Sequence, residues 1–155
     1  MIGRAVVLVA CILSMSCLAS SGEWSAYIRQ VEQADHKTLQ ALPEKIGSIG
    51  DTLDAEHSVE LTTAISMALI KDPVSVINAT KPLEKSTDRL QQRFGTSFIC
   101  SIPGMTQFTQ AQIEAYFAKA EPALKMAGSV AAECLGTMRD TLAEIRQEIA
   151  QSATK

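Results

Sequence analysis

The stretch SVELTTAISMALIKDPVSVI, residues 58–77, constrains the fold more than any other part of this chain. Leu61, Ala64, Ile65, Ala68 and Leu69 recur at three- and four-residue spacing, which gathers them on one face of a helix. Val59, Met67 and Ile70 widen that face, so the spacing predicts a central helix buried on most sides. Asp72-Pro73 then stops and restarts the chain. An aspartate carboxylate caps exposed N–H groups, and a proline in the first turn lacks only an N–H that would have no partner there. Two helices meeting at a sharp corner are therefore written into one short segment.

The remaining apolar pattern is helical too. Trp24, Ile28 and Val31 form a first stripe, and Leu39, Leu42 and Ile46 a second around Pro43. PVSVINAT predicts a short helix, and PLEKSTDRLQQRF another beginning after Pro82. Thr109 with Gln112 has the spacing of a capping box, and Phe108 with Ile113 that of a hydrophobic staple. Ile113, Phe117, Ala120, Leu124 and Ala127 follow as one stripe, in which Pro122 is expected to kink or restart the helix. A last helix is expected from near Ser129. Leu135, Met138, Leu142, Ile145 and Ile149 would be buried there, with Arg139, Asp140, Glu144, Arg146 and Glu148 on the solvated side. Aromatic residues make up only 5% of the 155, so a core must be packed from Ala, Leu, Ile, Val and Met. That palette favours helices over a sheet. The expectation is an all-α chain, a single compact domain of about six or seven short helices over residues 22–155.

Residues 1–21 have a different grammar. Arg4 precedes the apolar run AVVLVACIL, and small residues follow in SMSCLASSG. That order is characteristic of a secretory signal peptide, cleaved after Ala19 or after Ser21. A buried N-terminal helix is the structural alternative. LVAC ending at Cys11 and SMSC ending at Cys17 raise lipidation as a further alternative, which would tether the protein to a membrane. The expected location is the periplasm. The net charge of −3 becomes −4 when Arg4, the one charged residue of the segment, is lost. No basic run exists, so no nucleic-acid partner is expected.

Export leaves Cys100 and Cys134, and an even pair in an oxidising compartment is most simply a disulfide. Closing a loop with a separation of 34 residues would stabilise the fold by about 3–4 kcal/mol on a chain-entropy basis. Two buried free thiols are the alternative. A cysteine nucleophile would need a histidine, and neither His36 nor His57 lies in a recognisable motif.

Other chemistry is sparse. His57 and Glu60 stand one helical turn apart, but metal binding needs further ligands. Asp54 and Glu56 belong at a helix start, where acids are favoured. GSIG lacks the Lys-Ser/Thr ending of a phosphate loop, and NAT at 78–80 is a glycosylation sequon. Met67, Met105, Met126 and Met138 read as core filler. No catalytic residue, cofactor or metal is expected, and the chain does not read as an enzyme.

ALIKDPVSVI (68–77), together with FGTSFICSIPG (94–104) and the later Cys134-Leu135, resembles small periplasmic immunity proteins that protect bacteria against type VI secretion amidase effectors. The resemblance implies an inhibitor that occludes the catalytic cleft of a cognate peptidoglycan amidase effector, and, since such proteins are often dimeric, a homodimer. A narrow cleft is best plugged by small residues, and two stretches qualify. GSIGDT offers Gly47, Ser48, Gly50 and Asp51, and SIPGMTQF offers Ser101, Pro103, Gly104 and Met105 on a base fixed by Cys100. A pre-ordered loop loses less entropy on binding. Two other readings stand beside this one. One is an exported structural or assembly factor without a toxin partner, the other a carrier with an apolar cavity between its helices.

Overall fold

The computed structural model describes residues 15–49, 52–101 and 108–153, and every regular element among them is helical. Six helices have twelve residues or more: α1 (Met15–Glu32), α2 (His36–Ile49), α3 (Ala55–Lys71), α4 (Pro73–Glu84), α7 (Gln110–Ala127) and α8 (Ala132–Ser152). Two short ones, α5 (Arg89–Gln92) and α6 (Thr96–Cys100), connect α4 to the C-terminal pair. The all-α expectation holds. α3 lies at the centre, packed against α1, α4, α6 and α7, while α2 packs on α4 and α8 on α6 and α7.

Local signals place the helix ends. Asp72 closes α3 with its N–H on the Ala68 carbonyl and opens α4 by accepting from the Ser75 N–H at 3.0 Å. The capping box at α7 is complete, with Thr109 and Gln112 each accepting from the other's backbone N–H. Asp35 accepts from the Thr38 N–H in front of α2. Ala34 just before it is left-handed at φ 57°. Its N–H reaches the Val31 carbonyl while the Asp35 N–H reaches Gln30, a Schellman closure of α1 made without glycine.

Burial follows the apolar stripes. Val31, Leu39, Leu42, Ile46, Leu61, Ile65, Leu69, Leu124, Met138 and Leu142 are all essentially inaccessible. Several expectations need correction. PVSVINAT and PLEK are one helix, since Pro82 sits inside α4. A proline removes a single helical hydrogen bond, and this one falls in the last turn, where the buried Leu83 keeps the helix on its course. Pro122 neither ends nor restarts α7, because the buried Ala120 and Leu124 clamp the helix on either side of it. The last helix begins at Ala132, after a 3₁₀ turn (Gly128–Ala131) entered through Gly128 at φ 69°. Val59 and Ile149 are exposed, not buried.

The core also holds a polar seam that apolar spacing could not reveal. Ser58, Thr62 and Ser66 are buried on α3. Thr62 and Ser66 donate back to the carbonyls four residues earlier, and the Tyr116 hydroxyl donates to the Ser66 carbonyl at 2.9 Å. Each hydroxyl so paired avoids the penalty of an orphaned buried group. Burial pushes the Tyr116 phenol above its ordinary range.

α1 starts at Met15, so the expected cleavage points after Ala19 and Ser21 fall within its first turns. Residues 1–14, with Arg4 and the lipobox Cys11, lie outside the described residues. Among the described residues no helix is long and apolar enough to cross a membrane.

Candidate functional site

The most closely supported surface element is α6, which has only five residues. An isolated helix of that length does not persist in water, so its neighbours must hold it. Gly95 caps its N-terminus in close approach to α4, where an added Cβ would lie 2.5 Å from Glu84 Cγ. That approach lets Glu84 accept from the Ser97 N–H. The Thr96 and Thr80 hydroxyls pair at 2.7 Å across the same contact. On the other side Cys100 is bonded to Cys134 of α8, with the two Cα atoms 5.1 Å apart. The disulfide expected from cysteine counting is present. The crevice beside it encloses about 40 Å³, room for little more than water.

The outer face of α6 is different. Phe98 is 39% exposed and stands over a groove against α3 and the Arg93-Phe94 segment that follows α5. Ala55, Val59 and the buried Phe94 complete the apolar lining, while Ser58, Thr62 and Arg93 supply polar groups; the groove measures about 160 Å³. Beyond Phe98 and Arg93 the surface continues as a shallower depression past Arg89 and the exposed Leu90. α5, which carries both arginines' neighbourhood, is fixed by Asp88, whose carboxylate accepts from the Leu90 N–H at 2.8 Å. Among the described residues neither Arg89 nor Arg93 is joined to an acid in an ion pair.

The residues singled out as plugs divide between two places. Gly47 and Ser48 are not in a loop: they form the last turn of α2, exposed, with Ser48 Oγ donating to the Lys45 carbonyl. The buried Leu39, Leu42 and Ile46 carry the helix past the glycine, and among the described residues no atom outside the helix's own backbone lies within 4 Å of a Cβ at Gly47. Ser101 caps the C-terminus of α6 and donates to the Phe98 carbonyl at 2.8 Å. Gly50, Asp51, Pro103, Gly104 and Met105 lie outside the described residues. The structure thus places Ser48 and Ser101 on separate helix ends.

His57 and Glu60 do not converge on a metal site. Asp54 caps α3 and bonds His57 twice, through the backbone N–H and through Nδ1, both at 2.8 Å. The Nδ1 bond holds the His57 imidazole above its usual range, and the backbone N–H bond, followed by the ring bond, holds the Asp54 carboxyl below its own. Trp24 packs edge-on to His57 at 5.2 Å and donates its indole N–H to Glu60 at 2.6 Å. The cluster fastens α1 to the start of α3. Among the described residues no group of three or more His, Cys, Asp or Glu could hold a metal ion.

α8 is not solvated in the simple way its charges suggested. Arg146 makes a two-pronged contact with Glu114, and Arg139 contacts Glu121, so both arginines clamp α8 onto α7. Against known protein families, curated proteins and solved structures, the chain matches none.

Proposed function

We propose that this chain is a binding protein that acts by occlusion: a periplasmic immunity protein directed at a secreted peptidoglycan amidase effector of a type VI secretion system. One observation carries the reading. α6 is fixed to the core by a disulfide and by hydrogen bonds on its inner side, yet presents Phe98 and an unfilled groove on its outer side. A rigid element with an exposed aromatic and nearby arginines has the composition of an interface centre. The resemblance through ALIKDPVSVI and the cysteine pair adds the choice of partner. Pre-ordering by the disulfide lowers the entropy lost on association.

The grooves found here are open at the surface, whereas a carrier would hold its ligand in an enclosed apolar cavity. The decisive test is to look for a small secreted amidase gene beside this one and to export its product into the periplasm, with and without this protein. Lysis in its absence and growth in its presence is the expected result. Lysis in both cases, or no association of the two purified proteins, would overturn the reading.

A further inference from the structure

The groove between α3, α6 and the Arg93-Phe94 segment has a chemistry of its own. Two of its polar side chains are left wanting: among the described residues, Ser58 Oγ and Arg93 Nε are buried without a hydrogen-bond partner. Ser58 is only 7% exposed, so bulk water does not solve its problem. A buried polar atom without a partner costs about 1–3 kcal/mol, and native proteins carry few of them. Here two occur on side chains lining one groove. Of the other lining residues, Ala55, Val59, Phe94 and Phe98 are apolar, and the Thr62 hydroxyl is already bonded to the Ser58 carbonyl.

We propose that the groove receives a segment of a partner protein in which an apolar side chain stands next to a carboxylate. The volume, about 160 Å³, matches the roughly 150 Å³ cavity that accepts a benzene-sized group. One aromatic or branched aliphatic side chain would therefore fill it. The carboxylate follows from charge. Arg93 is the cation of the groove and Arg89 of the adjoining depression, and neither is neutralised by an ion pair among the described residues, in a chain whose net charge is −3. A carboxylate can engage a guanidinium through two parallel hydrogen bonds, including one from Nε. A polypeptide suits the shape better than a compact metabolite, because the groove runs on past Phe98 into the depression beside Leu90. This rests on the reading of the chain as a binding protein, but not on which protein it binds.

The test uses the whole labelled protein and two defined probes, acetyl-Phe-Asp-amide and acetyl-Phe-Lys-amide, followed by nuclear magnetic resonance. The acidic probe should shift the Val59 methyls, the Phe98 ring and the Arg93 Nε–H saturably. The basic probe should bind about tenfold more weakly, as expected when one charge-assisted hydrogen bond is lost. Arg93→Gln removes the charge together with Nε, and should erase most of that preference while leaving the amide spectrum folded. Phe98→Ser should abolish the response to both probes. No saturable shift, equal binding of the two probes, or shifts elsewhere on the surface would overturn the assignment. No amidase enters this measurement, so its failure is distinguishable from a failure of the immunity reading.

Discussion

The C-terminal ends of α2 and α6 carry similar small residues but owe their structure to different causes. α2 reaches Ile49 because its own buried face, Leu39, Leu42 and Ile46, carries it there, and Gly47 and Ser48 merely ride on the outside. α6 has five residues and exists because Glu84, Thr80 and Cys134 hold it. Glycine marks opposite things at the end of α2 and at the start of α6. At Gly47 no described neighbour stands where a Cβ would go, whereas at Gly95 another helix approaches too closely for a side chain. Composition alone cannot tell an idle glycine from an essential one; the neighbour decides.

Removing the tertiary supports should therefore damage the α6 region and spare α2. Cys100→Ala with Cys134→Ala should have the largest effect, about 3–4 kcal/mol of lost stability on the chain-entropy estimate, read from urea unfolding. If stability hardly changes, α6 is held by its hydrogen bonds alone. Gly95→Ala should come next, at about 2 kcal/mol, the ordinary penalty for forcing a side chain into a filled space. Hydrogen exchange at Ile99 and Cys100 should rise with it. Gly47→Ala should go the other way and stabilise the protein by about 0.5–1 kcal/mol, since alanine is the better helix former. Destabilisation there would mean that the end of α2 is not the free helical surface described.

The smallest effect concerns pH. His57 titrates above its ordinary value because of Asp54. Its contribution to stability is present below the ordinary histidine value of about 6.5 and lost as pH rises through the higher folded value. Asp54 titrates below its ordinary value, so its share is present above about pH 3.9 and lost as pH falls through the lower folded value. The unfolding midpoint of the natural protein relative to His57→Gln should therefore fall between pH 5.5 and pH 8. Both groups are exposed, so the change should be slight. An unchanged difference would remove the Asp54–His57 contact from the forces fixing the start of α3.

Much of the frame was legible because its signals are local. Asp72-Pro73, the Thr109–Gln112 box and the apolar stripes need only a few residues each to state their meaning. The groove was not legible, because Val59, Arg93 and Phe98 come from three separate segments. One hint existed in Val59, which lies two positions from Leu61 and hence about 200° round the helix from it. Taking it to widen the buried face overlooked that angle, and its exposure is the beginning of the groove wall. The Glu114–Arg146 clamp and the Tyr116–Ser66 bond escaped for the same reason: both join residues far apart in the chain.

The central claim is that the outer face of α6, and not the end of α2, engages a partner. Calorimetric titration of this protein into a secreted amidase effector against which it protects tests it most directly, using Phe98→Ala against Gly47→Gln. The expected result is a tight complex for the natural protein and for Gly47→Gln. Phe98→Ala should weaken the complex by about thirtyfold, as for loss of a hot-spot contact worth roughly 2 kcal/mol. Full affinity in Phe98→Ala with lost affinity in Gly47→Gln would contradict it.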